Sequence, residues 1–413
     1  MDCKTKSYEK IRQLIDHGVN ISNPESLDIG DEVDVSYISA RNVKIYPGCR
    51  IYGKNTVISE GCKLGHEAPV TIDNCQLGSD VELKGGYFCK SVFLDGVTMG
   101  MGAHIREGCI LEEQASGAHS VGLKQTILFP FVTLGSLVNF CDCMMSGGTG
   151  RSNHSEVGSS YIHFNFTPDA DKTTPSLIGD VPRGVMLNQP PIFLGGQGGI
   201  VGPVRMGYGN VVAAGSILRK DYLQDNQLIF EIPQSRDPKV FIRGAYSGFQ
   251  RILENNILYL ANLKGLEAWY VYVRKPFFKA REFGLSTYNG AMEILSLARK
   301  ERLQRLKNMA QKAASSPTAE QLNEKLTLQE RMGDIEGILN EEIQDNENQR
   351  FREAFLDELT QSIGNDPVSY IDAIKKIPPA VSAKGTIWLN SIVDYYCQRI
   401  SRVLSFFSLF KKY

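Results

Sequence analysis

Apolar residues recur every sixth position in separate blocks of the chain: Ile45 and Ile51; Ile58, Leu64 and Val70; Met99, Ile105 and Leu111; Ile200, Met206, Val212 and Leu218. Four places after each stands a residue that is usually small, as at Cys49, Asn55, Cys62, Ala68, Ala103, Cys109, Ala115 and Ser216. Glycine and asparagine crowd the turns between, as in Met206-Gly-Tyr-Gly-Asn-Val. A period of six fits neither the 3.6 of an amphipathic helix nor the 2 of a half-buried strand. It suits a solenoid in which the first residue of each hexad fills a triangular interior and the small one sits at a tight corner. Three hexads then close a coil, and coils stack at the spacing of paired strands, about 4.8 Å. The pattern predicts a left-handed parallel β-helix of hexapeptide repeats over residues 31–222, in a chain that is mainly β with an α-helical C-terminal region.

Residues 1–30 read as a lead-in, with a short helix over 7–19. Residues 223–244 read as a linker, bent at Glu231-Ile-Pro-Gln-Ser-Arg-Asp-Pro-Lys. Residues 245–413 read as helical, with helices over 289–313, 318–346, 349–363 and 387–409 punctuated by Ser315-Ser-Pro and Ile377-Pro-Pro.

Charge narrows the partners. The 413 residues carry 45 basic and 46 acidic side chains, so no global field would hold nucleic acid or an anionic membrane. Residues 387–410 come nearest to a membrane span, but Asp394, Arg399 and Arg402 interrupt them and an amphipathic helix is expected instead. The first eight residues, with Lys4 and Lys6, lack the apolar stretch of a signal peptide. Nine scattered cysteines fit free thiols in a reducing, cytoplasmic compartment, several of them simply filling corners. Cys141-Asp142-Cys143 has no second pair nearby, so no metal site is expected.

Three features carry candidate chemistry. Arg106 and Lys124 are 18 residues apart, one full coil, so they are expected to stack at one corner. Two cations there suit a phosphate or phosphosugar, Arg as a fork and Lys as a point charge; solvated surface cations would show the same spacing. Gly147-Gly-Thr-Gly-Arg-Ser-Asn-His154, followed by Tyr161-Ile-His-Phe-Asn165-Phe, reads either as an active-site loop or as a plain excursion from the coil. Gly195-Gly-Gln-Gly-Gly199 matches neither a dinucleotide fingerprint nor a P-loop.

Segment 96–220 resembles the hexapeptide-repeat acyltransferases, in particular the acetyltransferase domain of GlmU-type enzymes of UDP-N-acetylglucosamine synthesis. Gly102-Ala-His-Ile-Arg106-Glu-Gly looks like that family's arginine coil, and Leu123-Lys124-Gln-Thr-Ile-Leu-Phe-Pro-Phe-Val like its lysine coil. Phe164-Asn165-Phe-Thr-Pro resembles its Asn-Tyr-Asp-Gly turn. Phe193-Leu-Gly-Gly, Val201-Gly-Pro-Val and Val212-Ala-Ala-Gly-Ser resemble its closing coils. The resemblance implies sugar-phosphate contacts at Arg106 and Lys124, acceptor contacts at Asn139 and Asn165, and acyl-CoA contacts at Lys172, Gly196 and Ala214. It also implies a homotrimer with donor sites between adjacent β-helices. Acetyl-CoA or another acyl-CoA would be a cosubstrate, with no tightly bound cofactor.

The resemblance is incomplete. The family's His-Leu-x-Tyr is Ser136-Leu-Val-Asn139 here, so the general base and an acceptor-binding Tyr are both replaced; a further acceptor Asn appears as Glu156. His154, Glu156 and His163 are the candidate replacement bases. No uridyltransferase nucleotide loop, Gly-x-Gly-Thr-Arg, is present. Three readings therefore stand: an acyltransferase on an amino sugar phosphate or sugar nucleotide with a relocated base; a catalytically degenerate binder of such compounds that regulates; or a trimeric scaffold whose helical region binds another protein.

Overall fold

The computed structural model describes residues 3–231, 237–238, 241–242, 245–246, 248–315, 322–343, 346–363, 369–407 and 409–410. Its axis is a parallel β-solenoid. One face is an 11-stranded ladder running from Asn20–Ile21 to Leu228–Ile229, so the pairing continues past both ends of the hexad pattern. The other two faces belong to a 16-stranded sheet, joined because Gly122–Leu128 and Asn139–Met145 each run round a corner. The second face stacks Arg50, Thr71, Tyr87, His104, Gly122 and their successors. The third stacks Val57–Ile58, Gln76–Leu77, Ser91–Phe93 and Cys109–Leu111.

Every first-position residue of the repeat, from Ile45 to Leu218, points into this interior and is buried. Each such aliphatic side chain contributes roughly 1.5–3 kcal/mol on leaving water. Most corner residues behave as the pattern predicts: Cys49, Cys62, Ala103, Cys109, Ala115 and Ser216 are buried. Burial pushes the thiols of Cys62 and Cys109 up to about 12, which leaves them packing groups rather than nucleophiles. Two depart from it: Ala68 is half-buried and Asn55 is exposed. Ile58 follows Ile51 by seven residues, not six, so Asn55 swings out and Thr56 turns in, its hydroxyl donating to the Tyr52 carbonyl. Three excursions lengthen later coils: a hairpin at Gly148–His154, residues 165–175, and, after the strand Ser176–Ile178, residues 179–192 with the short helix α2 (Val181–Gly184).

The N-terminal helix α1 (Cys3–Asp16) begins and ends earlier than the sequence suggests, because Gly18 turns the chain at φ +106°. The C-terminal region contains α3 (Phe249–Trp269), α4 (Lys275–Lys279), α5 (Gly284–Ala314), α6 (Leu322–Asn340), α7 (Asn346–Ile363), α8 (Tyr370–Lys376) and α9 (Pro379–Val403). Ser316 and Pro317, and most of the expected bend at 231–239, lie outside the described residues. Ile377-Pro-Pro ends α8 and starts α9, with Pro379 at the first helical position, where its missing N–H costs nothing. Among the described residues no helix is long and apolar enough to cross a membrane.

The helices lie along the third face, with α5 against strands Gln76–Leu77, Ser91–Phe93 and Cys109–Leu111. A π-helical turn at Tyr270–Arg274 fastens them there. Arg274 is buried and pairs with both Glu112 and Glu113, while Tyr270 Oη donates to Glu112 at 2.6 Å. One guanidinium cannot neutralise two buried carboxylates. Burial, against the pull of Arg274 and with the push of Glu113, raises the Glu112 carboxyl to about 7.

A folded-state value raised above the ordinary 4.5 means that the stability from this group is complete at lower pH and is lost as pH rises through about 7. Glu112→Gln is therefore expected to match the wild type in urea midpoint near pH 4.5 and to exceed it increasingly up to pH 8. A constant difference across that range would contradict this assignment of the proton.

Candidate functional site

Register between coils brings the cations together. Ile105 pairs with Leu123, and the Arg106 amide donates to the Leu123 carbonyl at 2.8 Å, so Arg106 and Lys124 occupy the same corner of successive coils. The corner lies where the second face turns into the third. Both side chains reach solvent, Arg106 more than Lys124. Lys124 Nζ sits 2.6 Å from Glu107 Oε1. Burial pushes the Glu107 carboxyl up, but Lys124, the residue's own backbone amide and the Arg106 charge together outweigh it and the net shift is downward. Cys141 takes the next rung, facing Lys124; burial raises its thiol against the opposing charge of Arg106.

Asn165 joins this corner through Asp142. Asp142 follows Cys141 at φ +60°, its side chain is buried, and one oxygen accepts from Asn165 Nδ2 at 3.2 Å. Asn165 Oδ1 in turn accepts from Thr174 Oγ1 at 2.6 Å. Lys172 lies in the same excursion, its side chain exposed. Asn139 stands on the second face two residues before Cys141, exposed.

The other end of the second face is the corner with the first. Backbone bonds run up it from coil to coil: Leu137 N to His119 O, Ser160 N to Ser136 O, Gln197 N to Ser159 O and Gly215 N to Gly196 O. Gly196 and Ala214 therefore share one column with Ser136. The coils approach so closely that a Cβ on Gly158 would meet the Gly196 amide at 2.4 Å. At the foot of the column is His119, whose Nδ1 shares a 2.8 Å hydrogen bond with Ser136 Oγ. An imidazole thus stands one coil below Ser136. The sequence contained the signal, since 119 and 136 are one coil apart, but the coil here is one residue short of 18. The strip between the two corners, residues 119 to 124, is at most about 16 Å long.

The three bases suggested by the sequence lie elsewhere. His154 closes the hairpin at the remaining corner, where the third face returns to the first, with Nδ1 2.8 Å from the Arg151 carbonyl. Arg151 folds back onto Gln114, Phe131 and Thr133. Glu156 is exposed on the first face, between Thr133 and Phe193. His163 is turned into the solenoid, 3% exposed, with Nε2 2.7 Å from Ser176 Oγ. Burial, reinforced by the Arg302 charge, lowers its pKa to about 4. None of the three reaches the strip from these positions, and they are not brought together.

No protein-family model matches the chain. Over 212 residues, 51% of its length, it is 30% identical to the bifunctional protein GlmU of Thermotoga maritima. It is 29% identical to that of Thermotoga sp. strain RQ2 and 28% identical to that of Thermotoga petrophila over the same length. The match spans 42% of each of those proteins, so the chain corresponds to less than half of the relatives it resembles.

The placement of His163 predicts its titration. Because its folded pKa is lowered from 6.5 to about 4, the folded state binds its proton only near pH 4, and stability from this group is lost as pH falls through that range. In histidine-labelled NMR spectra one imidazole should stay neutral down to about pH 4 and vanish from the spectrum of His163→Gln. A His163 signal that titrates near pH 6.5 would overturn the assignment.

Proposed function

We propose that the chain is an acyl-CoA-dependent acyltransferase acting on an amino sugar phosphate or sugar nucleotide laid along the second face. The observation that carries this reading is the shared corner of Arg106, Lys124 and Asn165 at one end of that face, with His119 and Ser136 at the other. Arg106 and Lys124 hold the acceptor's phosphate, Lys124 exchanging Glu107 for it. Asn139 and Asn165 contact the sugar, and Gly196, Ala214 and Lys172 line the acyl-CoA side. The Thermotoga relatives support the assignment at the level of the resemblance.

The acceptor amine attacks the thioester carbonyl, forming the C–N bond, and collapse of the tetrahedral intermediate breaks the C–S bond. Ser136 Oγ takes the amine proton as its own passes to His119, and the imidazolium then protonates the departing thiolate of coenzyme A. This pair restores the base whose loss at position 136 otherwise favours the catalytically silent binder. The described helices leave the second face open, with Tyr87, His104, Arg106, Asn139 and Ile162 exposed. A neighbouring β-helix packed there would complete the donor site, as in a homotrimer. The buried free thiols accord with a cytoplasmic protein.

Release of coenzyme A from acetyl-CoA in the presence of glucosamine 1-phosphate tests the reading. Turnover by the wild type should fall about 10²–10⁴-fold in kcat in His119→Ala and in Ser136→Ala, with KM little changed. Arg106→Ala should instead raise the acceptor KM. Acceptor binding without any acyl transfer would favour the degenerate binder, and turnover indifferent to His119 would remove the relay.

A further inference from the structure

We propose that the helical region sets the position of the excursion carrying Asn165 and Lys172, and that Arg302 of α5 is the positioning residue through which it acts. This inference deepens the acyltransferase reading and rests on it for the roles of those two residues. The excursion leaves the solenoid after Ile162–Phe164 and returns at Ser176–Ile178, with no helix or strand between. Ala170 and Lys172 both adopt positive φ, +57° and +58°, a conformation that side-chain-bearing residues rarely hold without outside support.

That support comes from α3, α5 and the segment just before α3. Lys312 of α5 donates to the Asp169 carbonyl, and Tyr246 Oη donates to Asp171 Oδ2 at 3.1 Å. Asn256 of α3 donates to the Thr173 carbonyl at 3.1 Å. Arg302 joins these contacts to the phosphate corner. It is 3% exposed, with one terminal nitrogen 2.9 Å from Asp142 Oδ1 and the other donating to the Lys172 carbonyl at 3.2 Å. The second Asp142 oxygen holds Asn165, and Asp142 itself follows Cys141 on the column above Lys124. One planar guanidinium therefore fixes the acceptor-side Asn, the donor-side Lys and the cation corner relative to one another. A lysine, with a single point charge, cannot span Asp142 and the Lys172 carbonyl in that way.

The full-length protein carries the test, with Arg302→Gln, Arg302→Lys and Arg299→Gln. Arg299, also on α5, pairs with Glu267 at 2.7 Å and, among the described residues, has no hydrogen bond or ion pair to the excursion, so it reports the cost of losing an α5 ion pair by itself. Amide hydrogen exchange across residues 165–175 should speed up about tenfold in both Arg302 variants, with the solenoid strands unchanged. Coenzyme A should bind those variants about tenfold more weakly, and Arg299→Gln should match the wild type in both readouts. Unchanged exchange at 165–175 in Arg302→Gln would overturn the proposal, as would equal loosening by Arg299→Gln. A wild type that fails to bind coenzyme A would sink the acyltransferase reading alone, because the exchange result still reports whether the helices hold the excursion.

Discussion

At each corner of the solenoid a backbone amide donates to the carbonyl of the adjacent coil, and this ladder dictates which side chains meet. Residues one coil apart occupy the same lateral position about 4.8 Å apart, whatever their chemistry. The constraint is satisfied by burying an apolar residue at the start of each hexad, so the interior and the surface columns are set together. Lys124 above Arg106, and Ser136 above His119, are both products of this register. A single inserted residue inside a coil moves side chains between surface and interior, as the exchange of Asn55 for Thr56 shows.

The helical region gives the three faces different fates. Its π-turn drives Arg274 between Glu112 and Glu113 on the third face, a pairing that is costly to leave incomplete once buried. Further along the same side, Arg302 reaches Asp142 and the 165–175 excursion. The second face keeps its polar and cationic side chains open. The same helices that bury one side of the solenoid thus also reach the edge of the strip that we assign to the acceptor.

Much of this was legible in the sequence. The six-residue apolar period specifies coils without reference to any relative, and the 18-residue interval between Arg106 and Lys124 anticipates their stacking. Coils of this chain are not all 18 residues long: the partner of His119 lies 17 residues on, so a fixed 18-residue interval misses the pair. His154, Glu156 and His163 stand near an inserted loop in sequence only. The hairpin carries His154 to a different corner, and strand alternation puts Glu156 outside on the first face and His163 inside. Contacts such as Arg302 with Asp142 join residues 160 positions apart in elements of different periodicity, and no local pattern announces them.

Coil stacking places Arg106 and Lys124 at one corner, and we propose that this corner binds phosphate. Calorimetric titration of the wild type and Arg106→Ala with glucosamine 1-phosphate, and with glucosamine itself, tests it most directly. Saturable binding of the phosphate ester is expected, weaker by about 10–100-fold in Arg106→Ala for the loss of a charge-assisted contact, with no measurable binding of glucosamine. Equal affinity for the ester in the wild type and the variant would contradict it.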